Sequence, residues 1–402
     1  MSASPLRRIP RTVWVLGFVS LLMDVSSEMI HAVLPLFMVQ VLAADVFWVG
    51  LIEGAAEAVA LAAKVFSGVI ADRFGRHKVL VFSGYALGVL SKPVFAIADT
   101  VTTVFFARFA DRIGKGVRGA PRDAIIADVS PKELLGASYG LRQSLDAAGA
   151  FVGPAIAAAL LFTLTEDAFR TIFWLALIPG ALCLMLILAG VENPKTPEVS
   201  GPRKPLPITR EGLKRLTPAF RAVLVLGVLF SLARFSNAFI VLRAADAGIA
   251  NAWIPLVMVG MNLVFSASSY PFGALADRVR PTTLLGVGLV LLVLSDVVFA
   301  LWADVWGIGL GILLWGLHLG ATQGVLSMLV AKTTDADWRA TGFGLFNLAS
   351  GMSLLVAGAA AGVLWDLAGP GASFGFGAVF ALVALAWLAT GVRSVKRLEE
   401  EG

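Results

Sequence analysis

The sequence predicts an all-α membrane protein in which twelve transmembrane helices form two six-helix, pseudo-symmetric bundles. Three observations carry this prediction. The 402 residues are 58% hydrophobic and 15% charged, with a mean hydropathy of +0.85, whereas about 25% of residues are charged in ordinary globular domains. Apolar runs long enough to cross a bilayer recur between Thr12 and Gly391. A short charged turn also occurs twice, once in each half of the chain.

The predicted helices follow one another along the chain and are joined by short polar turns. In the first half, residues 1–191, they span 12–42, 46–71, 77–98, 101–127, 134–163 and 168–191. Residues 192–217 are predicted to be a cytoplasmic linker, because they are rich in Pro, Lys and Arg and poor in large apolar side chains. In the second half, residues 218–402, the helices span 218–244, 250–276, 281–303, 305–331, 338–367 and 371–393.

The distribution of basic residues predicts the orientation of these helices. Most of the 32 Lys and Arg fall on one side of the predicted spans, and only Arg170 and Arg243 fall on the other. Loops rich in Lys and Arg stay in the cytoplasm, so we expect both termini there, in a plasma or inner membrane. The basic excess therefore reports topology and does not indicate a nucleic-acid partner. We expect the protein to be a monomer embedded in the lipid bilayer.

Two further features limit what the chain contains. The first apolar run includes Asp24 and Glu28 and lacks a small-residue cleavage site, so it predicts a retained span and not a signal peptide. The single cysteine, Cys183, permits no intrachain disulfide and makes a zinc site implausible. We predict no metal and no cofactor.

The charged turn at residues 68–78 joins the second and third predicted helices. It reads Gly-Val-Ile-Ala-Asp-Arg-Phe-Gly-Arg-His-Lys, and a shorter copy, Gly-Ala-Leu-Ala-Asp-Arg, occupies residues 273–278. A turn this charged cannot lie in hydrocarbon. Asp72 is expected to bind basic side chains in only one conformational state and so to bias a two-state equilibrium. The predicted conformational gate in this turn consists of Gly68, Asp72, Arg73, Gly75 and Arg76.

These motifs resemble those of the major facilitator superfamily over essentially the whole chain. Residues 68–78 are similar to its loop signature between helices two and three, and residues 112–120 are similar to its fourth-helix motif, with Lys115 where glutamine is usual. The resemblance implies two parallel six-helix repeats that rock about a midplane site.

The fifth predicted helix resembles a motif shared by drug–proton antiporters of that superfamily. Gly140, Gly149, Gly153 and Pro154 keep the spacing of the motif, although Ala157 and Ala158 replace the final glycine pair. We also assign Gly149, Gly153 and Pro154 to the predicted conformational gate.

Ionisable side chains recur inside the first-half spans, where a charge at the bilayer centre costs at least ~2.5–3.5 kcal/mol. Asp24, Glu28 and His31 fall on one face of the first helix. Burial raises the pKa of a carboxyl group and a nearby arginine lowers it, so such a group can exchange a proton between conformations. The predicted proton-coupling residues are Asp24, Glu28, His31, Glu57, Arg112, Arg142 and Asp146. The alternative is a structural ion network, in which Arg142 and Asp146 are spaced to pair.

The second-half spans carry few ionisable groups. The resemblance implies that the first and fourth helices of each half line the cavity. The predicted substrate-binding residues are Arg234, Asn237, Trp315, His318 and Asn347. An aromatic face with a few hydrogen-bonding groups suits an amphipathic organic ligand, whereas the alternative is that these side chains only pack helices together. Asp296 lies on a helix expected at the periphery and receives no role.

The predicted function is secondary active transport by alternating access, in which a proton gradient drives the export of a small amphipathic compound by antiport. An alternative is a proton-coupled importer of an organic anion, since buried arginines can clamp a carboxylate or phosphate. A membrane receptor remains a further alternative. A membrane-embedded enzyme is disfavoured, because the sequence contains no HExxH, GxSxG or phosphate-binding glycine loop.

Overall fold

The computed structural model describes residues 9–74, 77–131, 134–164, 167–191, 217–276, 279–322, 325–334 and 339–390, which are helical and contain no strand. The first helices are α1 (Arg11–His31), α2 (Leu34–Leu36, followed by a π-helical turn at Phe37–Val41), α3 (Val46–Phe74), α4 (His77–Ala96), α5 (Val101–Val129), α6 (Leu135–Thr163), α7 (Ala168–Leu175) and α8 (Leu177–Gly190). They are followed by α9 (Pro218–Ala233), α10 (Ala238–Asp246), α11 (Pro255–Ala276), α12 (Pro281–Leu301), α13 (Val305–Thr322), α14 (Val325–Lys332), α15 (Arg339–Ala368) and α16 (Pro370–Thr390).

Ten helical segments in the described ranges are long and apolar enough to cross a membrane. Two of the twelve predicted spans do not meet that criterion. The segment α5 carries too many charged side chains, and the apolar helix at Pro255–Ser269 is shorter than the others. The all-helical prediction is confirmed.

The helical backbone is interrupted within three of the predicted spans, 12–42, 168–191 and 218–244, each of which still contains one continuous segment long and apolar enough to cross a membrane. Helix α1 ends at His31 and α7 ends at Leu175. Each of these residues lies four positions before a proline, Pro35 and Pro179 respectively. A proline has no N–H to donate and its ring crowds the carbonyl four residues earlier, which favours a break at these two positions, although Pro93, Pro121 and Pro154 lie within continuous helices.

The third interruption lies between α9 and α10, where residues 234–237 are not helical. The Ser236 hydroxyl accepts a hydrogen bond from the Ala238 backbone N–H at 3.2 Å. A serine side chain that binds the backbone in this way competes with the helical hydrogen-bond ladder. The chain therefore enters α10 through a serine turn and not through a continuous helix.

Residues 1–34 and 59–205 form one compact unit, called unit 1. In unit 1, α1 packs against α6 and α8, and α4 packs against α5. Helix α5 begins at Thr100, whose hydroxyl caps it by accepting the Thr103 N–H at 3.2 Å. The apolar core of this unit contains buried side chains from α1, α4 and α8, including Leu16, Tyr85 and Cys183.

Residues 35–58 and 206–402 form the other compact unit, called unit 2. Here α12 packs against α13 and α16, and α9 packs against α15 and α16. The first part of α3 belongs to this unit and touches α15 through glycines. A Cβ placed on Gly50 would lie 2.0 Å from the Gly358 carbonyl oxygen, so the two backbones are in direct contact.

A carboxylate on α15 also caps α3. The Asp366 side chain accepts the backbone N–H groups of Val46 at 3.0 Å and Phe47 at 2.8 Å. These N–H groups belong to the first turn of α3, where no intrahelical acceptor is available. Asp366 therefore fixes the start of α3 within unit 2.

Candidate functional site

Helices α1, α4 and α5 of unit 1 bring a set of ionisable side chains together, called the buried charge cluster. Helix α1 contributes two members, α4 contributes one and α5 contributes three. The members are Glu28, His31, Lys92, Arg108, Asp111 and Arg112.

Lys92 and Asp111 form the best-defined ion pair of the cluster. The Lys92 ammonium donates to Asp111 Oδ1 at 2.9 Å and to Ser27 Oγ at 3.1 Å. The two charged side chains are 1% and 3% exposed. Because both charges are removed from water, each depends on the other for its stabilisation.

His31 lies at the centre of the cluster. Its Nδ1 is 3.2 Å from Glu28 Oε1, and its Nε2 is 3.7 Å from Asp111 Oδ2. The Arg108 guanidinium also contacts the ring, and the Arg112 guanidinium lies 3.4 Å from it. The ring therefore connects an acid on α1 with the acid and the arginines of α5, which is an arrangement that can pass a proton between them.

The glycines predicted in the fifth-helix motif lie directly against the acids of α1. A Cβ on Gly149 would lie 2.9 Å from Asp24 Cβ, and a Cβ on Gly153 would lie 2.9 Å from Glu28 Cβ. Only glycine permits so close an approach of two helix backbones. Pro154 lies within α6 next to the second of these contacts.

One further prediction for unit 1, a pair on α6, can be compared with the geometry, and so can the exposure of Glu28. Arg142 and Asp146 pair at 3.6 Å on α6, as their spacing predicts. The Glu28 side chain is 20% exposed, so the cluster is not sealed on the side of α1. The proton-coupling roles of these residues remain predictions.

Glu57 lies in the part of α3 that belongs to unit 2. There its carboxylate acts electrostatically on Arg234, in the interruption between α9 and α10. A second acid of α3, Glu53, lies 3.4 Å from the Ser236 hydroxyl. The two acids of α3 are therefore placed beside the interrupted segment of unit 2, which sequence reasoning did not anticipate.

Three of the predicted substrate-binding residues are connected through the ring of Phe230. The Arg234 guanidinium lies 5.6 Å from this ring, and the His318 ring stacks on it at 5.5 Å. The Trp315 ring follows at 6.0 Å from His318. Trp315 Nε1 and His318 Nε2 are buried and have no hydrogen-bond partner among the described residues.

The other predicted residues are placed apart or are not described. Asn237 ends the non-helical segment, where its backbone carbonyl accepts N–H groups of α10, and Asn347 lies partly buried on α15. Of the gate in the charged turn, Gly75 and Arg76 lie outside the described residues, and only the helical backbone is described for Gly68, Asp72 and Arg73.

Sequence reasoning gave no site role to Lys92 and Asp111, which form the tightest pair of the cluster. A signal for Lys92 was available, because it is a lone charge deep in the apolar run of α4. A charge in such a position indicates a partner on a neighbouring helix. No comparable signal identifies which acid that partner is.

Comparisons with known proteins address the family. Residues 16–263 match the family model described as the Major Facilitator Superfamily. The chain is 30% identical over 386 residues to an uncharacterized MFS-type transporter of Methanocaldococcus jannaschii, with 94% of each chain covered. It is 26% identical over 312 residues to the 3-(3-hydroxy-phenyl)propionate transporter of Escherichia coli, covering 76% of this chain and 74% of that protein.

The fold has close counterparts among solved structures. The crystal structure of the peptide transporter POT in complex with sulfate superposes with a TM-score of 0.79 at 16% identity, and 99% of each chain is covered. At this level of identity the likeness concerns the fold alone.

Proposed function

Since this chain belongs to the major facilitator superfamily, we propose that it is a proton-coupled secondary transporter of a small organic anion with an aromatic or apolar part. The protein is a multi-pass membrane transporter and not an enzyme. The coupling ion, the cargo and the direction are what we propose.

The observation that supports an anionic cargo is the excess of positive charge in unit 1. Between residues 92 and 118, the cations on α4 and α5 outnumber the acids of α1 and of that part of α5. The cations are Lys92, Arg108, Arg112, Lys115 and Arg118, and the acids are Asp24, Glu28 and Asp111. An unbalanced charge inside a membrane is costly, and a carboxylate that enters the site would balance it.

Two details of the geometry fit a carboxylate cargo. Lys115 is exposed on α5, and the buried Arg118 has one guanidinium nitrogen, Nη1, without a hydrogen-bond partner among the described residues. Arginine binds carboxylates through charge-assisted hydrogen bonds. The relative in Escherichia coli that is named for an aromatic carboxylate supports the same class of cargo.

Binding to the purified protein tests the cargo class. We expect 3-(3-hydroxyphenyl)propionate to raise the thermal midpoint in detergent and a lipophilic cation such as tetraphenylphosphonium to leave it unchanged, because only a ligand that binds the folded state stabilises it. Arg118→Gln should reduce the effect of the anion. Stabilisation by the cation alone would contradict the proposal.

Proton coupling is assigned to Glu28, with His31 as its immediate partner. We expect Glu28→Gln to abolish accumulation driven by a pH gradient in proteoliposomes and to retain downhill exchange, because the amide cannot carry a proton. Asp99→Asn is the matched control, since Asp99 is 82% exposed, lies between α4 and α5 and pairs with Arg170. Gradient-driven accumulation that is unchanged in Glu28→Gln would remove this residue from the coupling step.

A second candidate, export by proton antiport, is favoured by Gly149 and Gly153. These residues match the antiporter motif and pack against Asp24 and Glu28. Proteoliposomes that enclose a pH-sensitive dye distinguish the two directions of coupling. When the anion is added outside, symport acidifies the interior and antiport makes it more alkaline.

The remaining proposals concern placement and assembly. On the distribution of Lys and Arg, we infer that both termini lie in the cytoplasm, with the protein in the plasma or inner membrane. We also propose that the protein is a monomer. A C-terminal reporter that is active only in the cytoplasm tests the orientation, and light scattering of the purified protein tests the monomer.

A further inference from the structure

Asp296 is a buried acid in unit 2 that neither the cluster nor the proposed cargo site uses. It lies near the end of α12, is 0% exposed, and neither of its carboxyl oxygens has a hydrogen-bond partner among the described residues. An ionised carboxylate without a partner is very costly in an apolar interior, and such a group takes up a proton instead. Native proteins rarely leave a buried polar group in this state, so its presence points to a role.

The surroundings of Asp296 place it at the interruption between α9 and α10. A Cβ on Gly377 of α16 would lie 2.7 Å from Asp296 Oδ2, 3.0 Å from the Ala233 carbonyl oxygen and 2.9 Å from the Phe235 ring. Ala233 is the last residue of α9. The carboxyl group, the end of α9 and the non-helical segment therefore meet at a single glycine.

The end of α9 favours the uncharged form of the acid. The last carbonyl groups of a helix carry the negative end of its dipole, which disfavours a nearby anion. The other neighbours are apolar rings, since Phe235 and Phe299 each pack against Phe374, at 5.5 and 5.0 Å. This environment suits a carboxylic acid and does not suit a carboxylate.

The charged groups on the surrounding elements leave this assignment unchanged. On α10, Arg243 donates to the Phe299 carbonyl at 2.8 Å and pairs with Asp246. On α13, His318 directs Nδ1 to the Gly288 carbonyl at 2.7 Å. Helix α16 carries no titratable side chain within Pro370–Thr390. Arg234, which follows Ala233 in the chain, lies over the Phe230 ring, and the negative charge of Glu57 favours its charged form.

We propose that Asp296 is a second proton-binding residue of this transporter, which holds a proton while the end of α9 lies against it and releases the proton when segment 234–237 moves. Movement of this segment would withdraw the Ala233 carbonyl and could present Arg234 to the acid. A proton fits the site better than a metal ion, because cations such as Ca²⁺ and Mg²⁺ need about six oxygen ligands, and phenylalanine rings occupy the space here.

The first test labels the wild-type protein with dicyclohexylcarbodiimide, which forms adducts with protonated carboxyl groups in apolar surroundings. Peptide mass spectrometry should find an adduct on Asp296 at neutral pH. Asp304, in the loop between α12 and α13, is the matched control. Its exposed carboxylate accepts backbone N–H groups and should remain unlabelled. Absence of an Asp296 adduct from mildly acidic to mildly alkaline pH would overturn the proposal.

The second test compares Asp296→Asn with the wild type. The amide imitates the protonated acid in shape, so the variant should fold. Above the ordinary titration range of aspartate, the unfolded wild-type chain releases a proton that the folded chain keeps, so its thermal midpoint should fall with rising pH relative to Asp296→Asn. Parallel pH profiles of stability would count against proton binding at this position.

Two further measurements ask whether Asp296 binds a metal cation and whether the labelling of Asp296 depends on Glu28. Protection of Asp296 from labelling by NaCl, and not by KCl at equal ionic strength, would reveal a metal cation and overturn the assignment of a proton. Labelling of Asp296 should persist in Glu28→Gln, because Glu28 belongs to unit 1. Proton binding at Asp296 therefore remains supported even if the proposed cargo or the proposed role of Glu28 is wrong. Loss of Asp296 labelling in Glu28→Gln would contradict proton binding at Asp296.

Discussion

Lys92 and Asp111 face each other across α4 and α5 at 2.9 Å, with almost no exposure of either side chain. Asp111 Oδ2 also lies 3.7 Å from His31 Nε2, so the pair is connected to the centre of the buried charge cluster. Its strength depends on both partners, since a buried charge that loses its partner is left without compensation.

We predict that Lys92→Met destabilises the folded protein by about 3–5 kcal/mol, the range expected when one partner of a buried ion pair is removed. The double variant Lys92→Met with Asp111→Asn should recover part of this loss, because the carboxylate that lost Lys92 is then removed as well. Thermal unfolding in detergent measures both. Lys115→Met is the matched control on an exposed lysine and should have little effect. Equal losses in the single and double variants would contradict the pairing.

The close approach of α6 to α1 gives a second prediction. Gly153→Ala should destabilise the protein by about 1–3 kcal/mol, as overpacking generally does, because the new Cβ would lie 2.8 Å from the Val25 carbonyl oxygen. It should also reduce transport by displacing Glu28.

Gly140→Ala is the control on the same helix, since nothing lies within 4 Å of its added Cβ. Alanine is favoured over glycine in a helix by about 0.5–1 kcal/mol, so this variant should be neutral or more stable. Thermal midpoints and initial transport rates of the two variants provide the comparison. A Gly153→Ala protein as stable and active as Gly140→Ala would show that α1 and α6 are not tightly apposed.

The cap that Asp366 provides for α3 gives a third prediction. Asp366→Ala should increase backbone hydrogen exchange at Val46 and Phe47, because removal of an N-terminal cap costs about 1 kcal/mol. Hydrogen exchange followed by mass spectrometry on peptides that begin near residue 44 measures the change. Asp45→Ala removes a neighbouring acid whose side chain makes no such bond in the structure, and it should change exchange less. Equal effects of the two variants would exclude Asp366 as the cap.

A fourth prediction concerns pH and the start of α13. Hydrogen bonds from the Gly307 and Trp306 N–H groups, at 3.0 and 2.9 Å, stabilise the Asp304 carboxylate and lower the pKa of this exposed acid. A carboxyl group whose pKa is lower in the folded state contributes stability at higher pH and loses it as the pH falls through that lowered pKa. Protection of these two amides should therefore decrease in acid.

Asp304→Asn should retain the cap, because asparagine is also a good capping residue, and should remove the pH dependence. Hydrogen exchange corrected for the intrinsic rate at each pH measures this. The same acid-induced loss of protection in Asp304→Asn would assign the effect to another group.

The helical class and the order of the spans could be predicted from the sequence, because apolar length and turn charges are local properties. The interruptions at His31 and Leu175 were also present in the sequence, in the prolines four residues later. They were overlooked because hydropathy alone continues through Pro35 and Pro179. The serine turn at Ser236 depends on a weaker competition between side chain and backbone and has no equally clear sequence signal.

Partners between helices were harder to predict than the helices themselves. The pair formed by Arg142 and Asp146 follows from helical spacing and is confirmed. The pair formed by Lys92 and Asp111 joins two helices, so no spacing rule identifies it. Glu57 shows the same limit, because its place beside Arg234 follows from the packing of α3 in unit 2 and not from its neighbours in sequence.

At Gly50, Gly54, Gly358 and Gly362 the backbones of α3 and α15 lie within a few ångströms of each other, with no side chain of these four residues between them. Should the helices part during a cycle, no rotamer at these four positions would have to change. A helix contact of this kind can separate and form again without rearranging the side chains around it.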